Sequence, residues 1–121
     1  MLDMLNYAIM NKGTRIAVIG DGGWGTALAV LLCRKGYEVA LWGAFPEYVK
    51  FLIKNHENKK FLPGVKLPIS LILNDDIREA VLDKDVIVLA VPSQHMRSVL
   101  KKLPGDRGPV YVSAAKGIEN S

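Results

Sequence analysis

Thr14–Arg15–Ile16–Ala17–Val18–Ile19–Gly20–Asp21–Gly22–Gly23–Trp24–Gly25–Thr26–Ala27–Leu28–Ala29 is the stretch whose reading decides the fold of this chain. A short apolar run passes into Gly-x-Gly-x-x-Gly, with glycines at 20, 22 and 25, and then into helix-forming residues. A dinucleotide pyrophosphate site needs its parts in that order. Gly20 permits the tight turn off a strand, and Gly22 lets the main chain approach phosphates with no Cβ in the way. Gly25 lets the following helix pack closely on that strand, so that its free N–H groups and positive dipole end face the anion. Glycine triplets occur in many loops, and the specificity of this one comes from the strand before it and the helix after it.

Working outward, strands and helices alternate. A strand over Arg15–Ile19 leads to a helix from about Gly25 to Lys35, stopped by Gly36, with Arg34 and Lys35 complementing the helix dipole. A second strand covers Glu38–Trp42, and Pro46 suits the first turn of a helix reaching Asn55. His56 to Pro68, with two prolines and a glycine, reads as an ordered loop. A strand near Ser70–Leu73 precedes a helix over Ile77–Leu82, capped by Asn74 or Asp75. Asp85–Val91 is apolar without alternation, as a strand covered on both faces must be. Pro92 ends it. A helix over Gln94–Leu103, a turn from Pro104 to Gly108 and a strand at Val110–Val112 complete the pattern. Such alternation predicts an α/β fold: a doubly wound, mostly parallel sheet with right-handed crossovers. Residues 1–13 read as an N-terminal extension carrying a short helix that ends near Gly13, and 14–121 as one domain.

Composition narrows the class. Half of the 121 residues are hydrophobic and 23% are charged, which suits a globular domain and argues against disorder. The apolar run Ala27–Cys33 is far too short to span a bilayer, and the N-terminus, with Asp3 and no basic region, does not read as a signal peptide. The net charge of +4 favours anionic ligands, but the basic residues are dispersed. Lys59–Lys60 and Lys101–Lys102 read as solvated faces, and with no nucleic-acid-binding motif no nucleic-acid partner is expected. The single cysteine, Cys33, reads as a reduced core residue of a cytoplasmic protein. No His, Cys, Asp or Glu spacing suggests a metal site.

The end of the second strand is where a dinucleotide site ordinarily distinguishes its cofactors: a carboxylate there binds the adenosine ribose, or an arginine accommodates a 2′-phosphate. Leu41–Trp42–Gly43–Ala44–Phe45–Pro46–Glu47 offers neither, and Glu47 reads as a first-turn helix residue. The cofactor is therefore NAD or NADP, and tolerance of both is expected.

The ordered set Gly20–Ala29, Leu41–Trp42–Gly43, His56–Glu57–Asn58 with Leu62–Pro68, Leu89–Ala90–Val91–Pro92–Ser93–Gln94 and Ala115–Lys116–Gly117–Ile118–Glu119 resembles the N-terminal half of the bacterial-type NAD(P)-dependent glycerol-3-phosphate dehydrogenases, over about residues 14–121. The resemblance implies a Rossmann-type NAD(P)-binding domain and interconversion of sn-glycerol 3-phosphate and dihydroxyacetone phosphate in the cytoplasm, feeding phospholipid synthesis. It places Gly22, Gly23 and Trp24 along the pyrophosphate, with Gly23 where the family usually has serine. Pro92, in the loop after the fourth strand, would wall the nicotinamide side, with Ser93 as a helix cap. Lys116 would reach both cofactor and substrate, binding the substrate phosphate or polarising the reacting oxygen. Ala44 and Phe45 stand where the family often has a basic residue or histidine. His95 and His56 are tempting as proton carriers but lack a carboxylate partner, and read as surface or loop-ordering groups.

By the same resemblance, the acid–base lysine and most substrate contacts belong to a helical C-terminal domain that these residues do not include. No catalytic residue is therefore expected here. Cofactor binding with little turnover is expected, with self-association through the surface that the missing domain would cover. A stand-alone NAD(H)-sensing module is the competing reading from another class.

Overall fold

A computed structural model describes residues 13–105 and 108–114. Its elements, in chain order, are β1 (Arg15–Ile19), α1 (Gly23–Arg34), β2 (Glu38–Trp42), α2 (Pro46–Asn55), β3 (Glu57–Asn58), β4 (Leu62–Lys66), β5 (Ile72–Asn74), α3 (Ile77–Val81), β6 (Val86–Leu89), α4 (Ser93–Lys102) and β7 (Val110–Ser113). The expected extension, apart from Gly13, lies outside the described residues, as do Lys116 and its neighbours.

Five strands form one sheet in the order β5-β2-β1-β6-β7, and every pairing in it is parallel. The chain starts at the centre, builds outward through β2 and β5, then returns to lay β6 on the other side of β1. The crevice between β1 and β6 is therefore the switch point at which ligands bind in open sheets of this kind.

Side-chain alternation explains why the central strands are apolar throughout. Ile16 and Val18 of β1, Val39 and Leu41 of β2, and Val86 and Val88 of β6 share one core with α1 and α2. Ala17 and Ile19, Trp42, and Ile87 and Leu89 belong to a second core with α3 and α4. With a period of two, both faces need covering, and each buried Val, Ile or Leu contributes about 1.5–3 kcal/mol of burial. Cys33 is buried in the first core, its Sγ 3.0 Å from Ser70 Oγ.

Several boundaries depart from the sequence expectation. The segment expected as a loop, His56–Pro68, contains an antiparallel ribbon, β3 paired with β4. Its proline and glycine hid it, since both weaken an interior strand. A two-stranded ribbon is all edge, where Pro63 need not donate to a ladder. Leu67 N donates to His56 O at 2.7 Å and Gly64 N to Glu57 Oε2 at 3.0 Å, closing it. The cap of α3 is Asp76, not Asn74 or Asp75: its side chain accepts from Arg78 N. Asn74 is taken up by β5, its carbonyl accepting from Gly43 N at 3.0 Å. β6 stops at Leu89 instead of Val91, and α4 is capped by Pro92, with no side-chain cap bond, so Ser93 is a helical residue and not a cap. α1 begins at Gly23, two residues earlier than expected, because Gly22 is already its cap.

A candidate dinucleotide site at the switch point

The turn from β1 to α1 is fixed by close approaches that only glycine allows. Gly20 has a φ of +124°, and a Cβ on it would lie 2.9 Å from the Ala90 carbonyl. Its N–H donates to Trp42 O at 2.9 Å, so the turn is tied to the ends of both neighbouring strands. A Cβ on Gly25 would lie 2.0 Å from Gly20 O, which is how closely α1 sits on β1. Gly22 is different: none of the described residues comes within 4 Å of its Cβ position. The described residues leave that space open. Gly22 caps α1 with no side-chain hydrogen bond, and the first turn holds no acidic residue. The helix thus presents unshielded main-chain N–H groups and its positive dipole end, the arrangement that accepts a diphosphate.

A cleft of about 930 Å3 opens there, a size that suits a small-molecule or cofactor site. Its floor is Gly20, Asp21, Gly22, Gly23 and Trp24, and the β6–α4 turn adds Ala90, Val91 and Pro92. Of the residues singled out from the sequence, Gly20, Gly22, Gly23, Trp24 and Pro92 line the cleft together. Gly25 lies buried beneath it and shapes it from below. Lys116 lies outside the described residues. Trp24 is 48% exposed at the lip. His95, read from sequence as a surface or loop-ordering group, also lines the cleft from the exposed first turn of α4. His56 does order its loop: in a left-handed conformation (φ 52°) it ends α2, its N–H donating to Leu52 O at 2.8 Å.

The other wall was not anticipated. Phe45, Tyr48 and Phe51, with Lys60 and Phe61 from the ribbon tip, face the glycine loop across the cleft. Tyr48 stacks on Phe51 at 5.5 Å and meets Phe61 edge-on at 6.2 Å. Lys60 Nζ stands 5.2 Å over the Phe61 ring and Lys102 Nζ 6.0 Å over that of Trp42. A flat, apolar wall with cations at its rim suits a ligand built of rings and phosphates.

Asn58 holds the two walls together. Fully buried in β3, it donates from Nδ2 to Asp21 O at 2.8 Å and to Thr26 Oγ1 at 2.9 Å. Its Oδ1 accepts from the Tyr48 hydroxyl and, at 3.2 Å, from Phe61 N. Both amide protons and two acceptor sites are used, a fully satisfied buried amide. The ribbon then leans on the glycine loop so closely that a Cβ on Gly23 would lie 2.8 Å from Phe61 O.

Asp21 contributes a buried charge. Burial raises its carboxyl above the ordinary carboxylate range, countered in part by its own backbone hydrogen bond and by the Lys60 ammonium. Its Oδ2 is buried with no hydrogen-bond partner among the described residues. Among the described residues no group of His, Cys, Asp or Glu could hold a metal ion, and no helix is long and apolar enough to cross a membrane.

A parallel sheet wound in this order, with a glycine-rich turn opening a helix at its switch point, defines the Rossmann class of nucleotide-binding domains. The chain belongs to the NAD-dependent glycerol-3-phosphate dehydrogenase family, matching the family's N-terminal part over residues 15–121. It is 49% identical over 106 residues to the glycerol-3-phosphate dehydrogenase (NAD(P)+) of Prosthecochloris aestuarii, covering 86% of this chain and 32% of that protein. To that of Desulfotalea psychrophila it is 47% identical over 115 residues, covering 92% and 33%. Among solved structures it resembles glycerol-3-phosphate dehydrogenase from Coxiella burnetii with a TM-score of 0.80 at 30% identity, covering 87% of this chain and 34% of that one. The yeast enzyme, from Saccharomyces cerevisiae, gives 0.76 at 32%, with the same coverage. The chain thus spans about a third of the length of the curated relatives it matches.

Proposed function

We propose that this chain is the cofactor-holding part of a glycerol-3-phosphate dehydrogenase, which interconverts sn-glycerol 3-phosphate and dihydroxyacetone phosphate in the cytoplasm. The single observation that carries the reading is the open space over Gly22 at the uncapped start of α1, on the floor of the switch-point cleft. When bound, the nicotinamide accepts or returns a hydride. The chain's part is to hold and orient: the N–H groups at the start of α1 bind the diphosphate, the aromatic wall receives the flat rings, and Pro92 borders the nicotinamide side.

Lys116 is assigned, on the family resemblance, to the cofactor and the substrate phosphate. Because the resemblance puts the acid–base lysine and most substrate contacts in a further helical domain, this stretch by itself binds cofactor and turns over little. Self-association through the surface that such a domain would cover follows from the same reading.

Titration with NADH, followed through the fluorescence of Trp24 and Trp42, which both line the cleft, tests the cofactor reading. The wild type quenches saturably. Gly22→Val, whose Cβ meets no atom of the described residues within 4 Å, keeps its thermal midpoint and loses the quench. A Gly22→Val variant that binds NADH normally refutes the reading. Measurable reduction of dihydroxyacetone phosphate by the 121-residue chain refutes the expectation of little turnover.

A further inference from the structure

The end of β2 carries no ribose-binding acid, yet the structure brings a carboxylate to that place from elsewhere in the chain. Asp21 leaves the backbone at the turn after β1, and its side chain crosses to the residue that follows β2. A Cβ built on Gly43 would lie 2.2 Å from Asp21 Oδ2 and 2.7 Å from its Cγ. Any other residue at 43 would push the carboxylate away. The position about 20 residues beyond the glycine motif is where a dinucleotide site ordinarily carries the acid that accepts a hydrogen bond from the ribose 2′-hydroxyl. Here that position is glycine, and it makes room for an acid borrowed from the glycine loop.

Two further observations point the same way. Asp21 lines the cleft, and its Oδ2 is a buried acceptor with no donor among the described residues. A buried carboxylate oxygen left without a donor is costly, and a ligand hydroxyl supplies what the described residues do not once the side chain turns toward the cleft that Asp21 lines. The neighbouring Ala44 and Phe45, also on the cleft wall, bring no positive charge to receive a phosphate. The cations of the lining are Lys60, whose ammonium offsets the Asp21 charge in part, and Lys102, over the Trp42 ring, while Glu47 adds a second carboxylate.

We infer that Asp21, seated against Gly43, reads the adenosine ribose and selects a dinucleotide with a free 2′-hydroxyl over one bearing a 2′-phosphate. The inference rests on the cofactor reading of the cleft. The hydroxyl of NAD(H) donates to the carboxylate, whereas the 2′-phosphate of NADP(H) sets anion against anion where solvent screens poorly.

Equilibrium titration with NADH and with NADPH, read by tryptophan fluorescence and needing no turnover, separates the outcomes. The wild type binds NADH about tenfold or more tighter than NADPH, a difference of ~1.4 kcal/mol. Asp21→Asn, which keeps the shape and removes the charge, brings the two affinities together, chiefly by tightening NADPH. Asp21→Ser carries the same expectation should Asp21→Asn fail to fold. Gly43→Ala, which dislodges the carboxylate without changing the charge, weakens NADH. A wild type that binds NADPH as tightly as NADH, or a ratio unmoved by loss of the carboxylate, overturns the inference and leaves the cofactor site standing. Failure of the wild type to bind either dinucleotide overturns the cofactor reading and this inference with it.

Discussion

Asn58→Leu removes a buried amide and leaves a side chain of the same branching but larger volume, so the loss is polar, with some overpacking and no cavity. Four hydrogen bonds disappear: two donated by Nδ2, to Asp21 O and Thr26 Oγ1, and two accepted by Oδ1, from Tyr48 and Phe61 N. They are not equally costly. Asp21 O keeps the Thr26 hydroxyl at 3.2 Å, and the Tyr48 oxygen still accepts from Lys60 N at 3.2 Å. Phe61 N loses the partner that held the ribbon tip. At about 0.5–1.5 kcal/mol for each intramolecular bond, with partial compensation at two partners, the expected loss is roughly 2–4 kcal/mol. Urea unfolding followed by far-ultraviolet circular dichroism reads this as a lower midpoint at unchanged slope. Because Asn58 joins the ribbon to the glycine loop, NADH affinity measured well below the midpoint falls as well. A stability change under about 0.5 kcal/mol, the size of an ordinary surface substitution, would refute the claim that Asn58 ties the cleft together.

Gly25→Ala places a methyl carbon 2.0 Å from Gly20 O, so it destabilises the whole domain, while Gly22→Ala at an open position leaves the unfolding midpoint within about 0.5 kcal/mol. Comparing the two midpoints separates packing glycines from ligand-facing ones. Asp21 makes stability depend on pH in the less usual direction. Burial raises its carboxyl above the ordinary aspartate value, so proton uptake favours the folded chain, and its contribution is present at low pH and lost as pH rises through the folded value. Asp21→Asn accordingly raises the urea midpoint at pH 7, and the gain shrinks as the pH is lowered below that raised value; a lower midpoint at pH 7 would contradict this. Cys33, buried in the first core, reacts with a thiol reagent only as fast as the domain opens. Labelling kinetics with and without urea check it, and prompt labelling of the native protein would contradict it.

What the sequence made legible was whatever is written locally. The strands at Arg15–Ile19 and Glu38–Trp42 and the helix at Pro46–Asn55 fall where apolar runs, Gly36 and Pro46 place them, because backbone preference and burial agree there. The glycine turn was legible for the same reason, its turn, approach and packing being spelled out within six residues. The ribbon over 57–66 was not, since Pro63 and Gly64 argue against a strand unless the ladder is known to be an edge. Nor was the far wall of the cleft. Tyr48, Phe51 and Phe61 read as apolar residues of a helix and a loop, and only the packing of the ribbon on the glycine loop makes them neighbours of Gly22. The proximity of Asp21 to Gly43 depends on the parallel register that sets Ile19 beside Trp42, which no local pattern states.

The 2.8 Å between the Phe61 carbonyl and the vacant β-position of Gly23 makes these two segments a matched pair. A turn with any side chain at this position needs a ribbon held farther out, so the segments cannot be exchanged one at a time. A chimera that transplants the foreign turn without its ribbon inherits a steric collision, and one that carries both restores the fit.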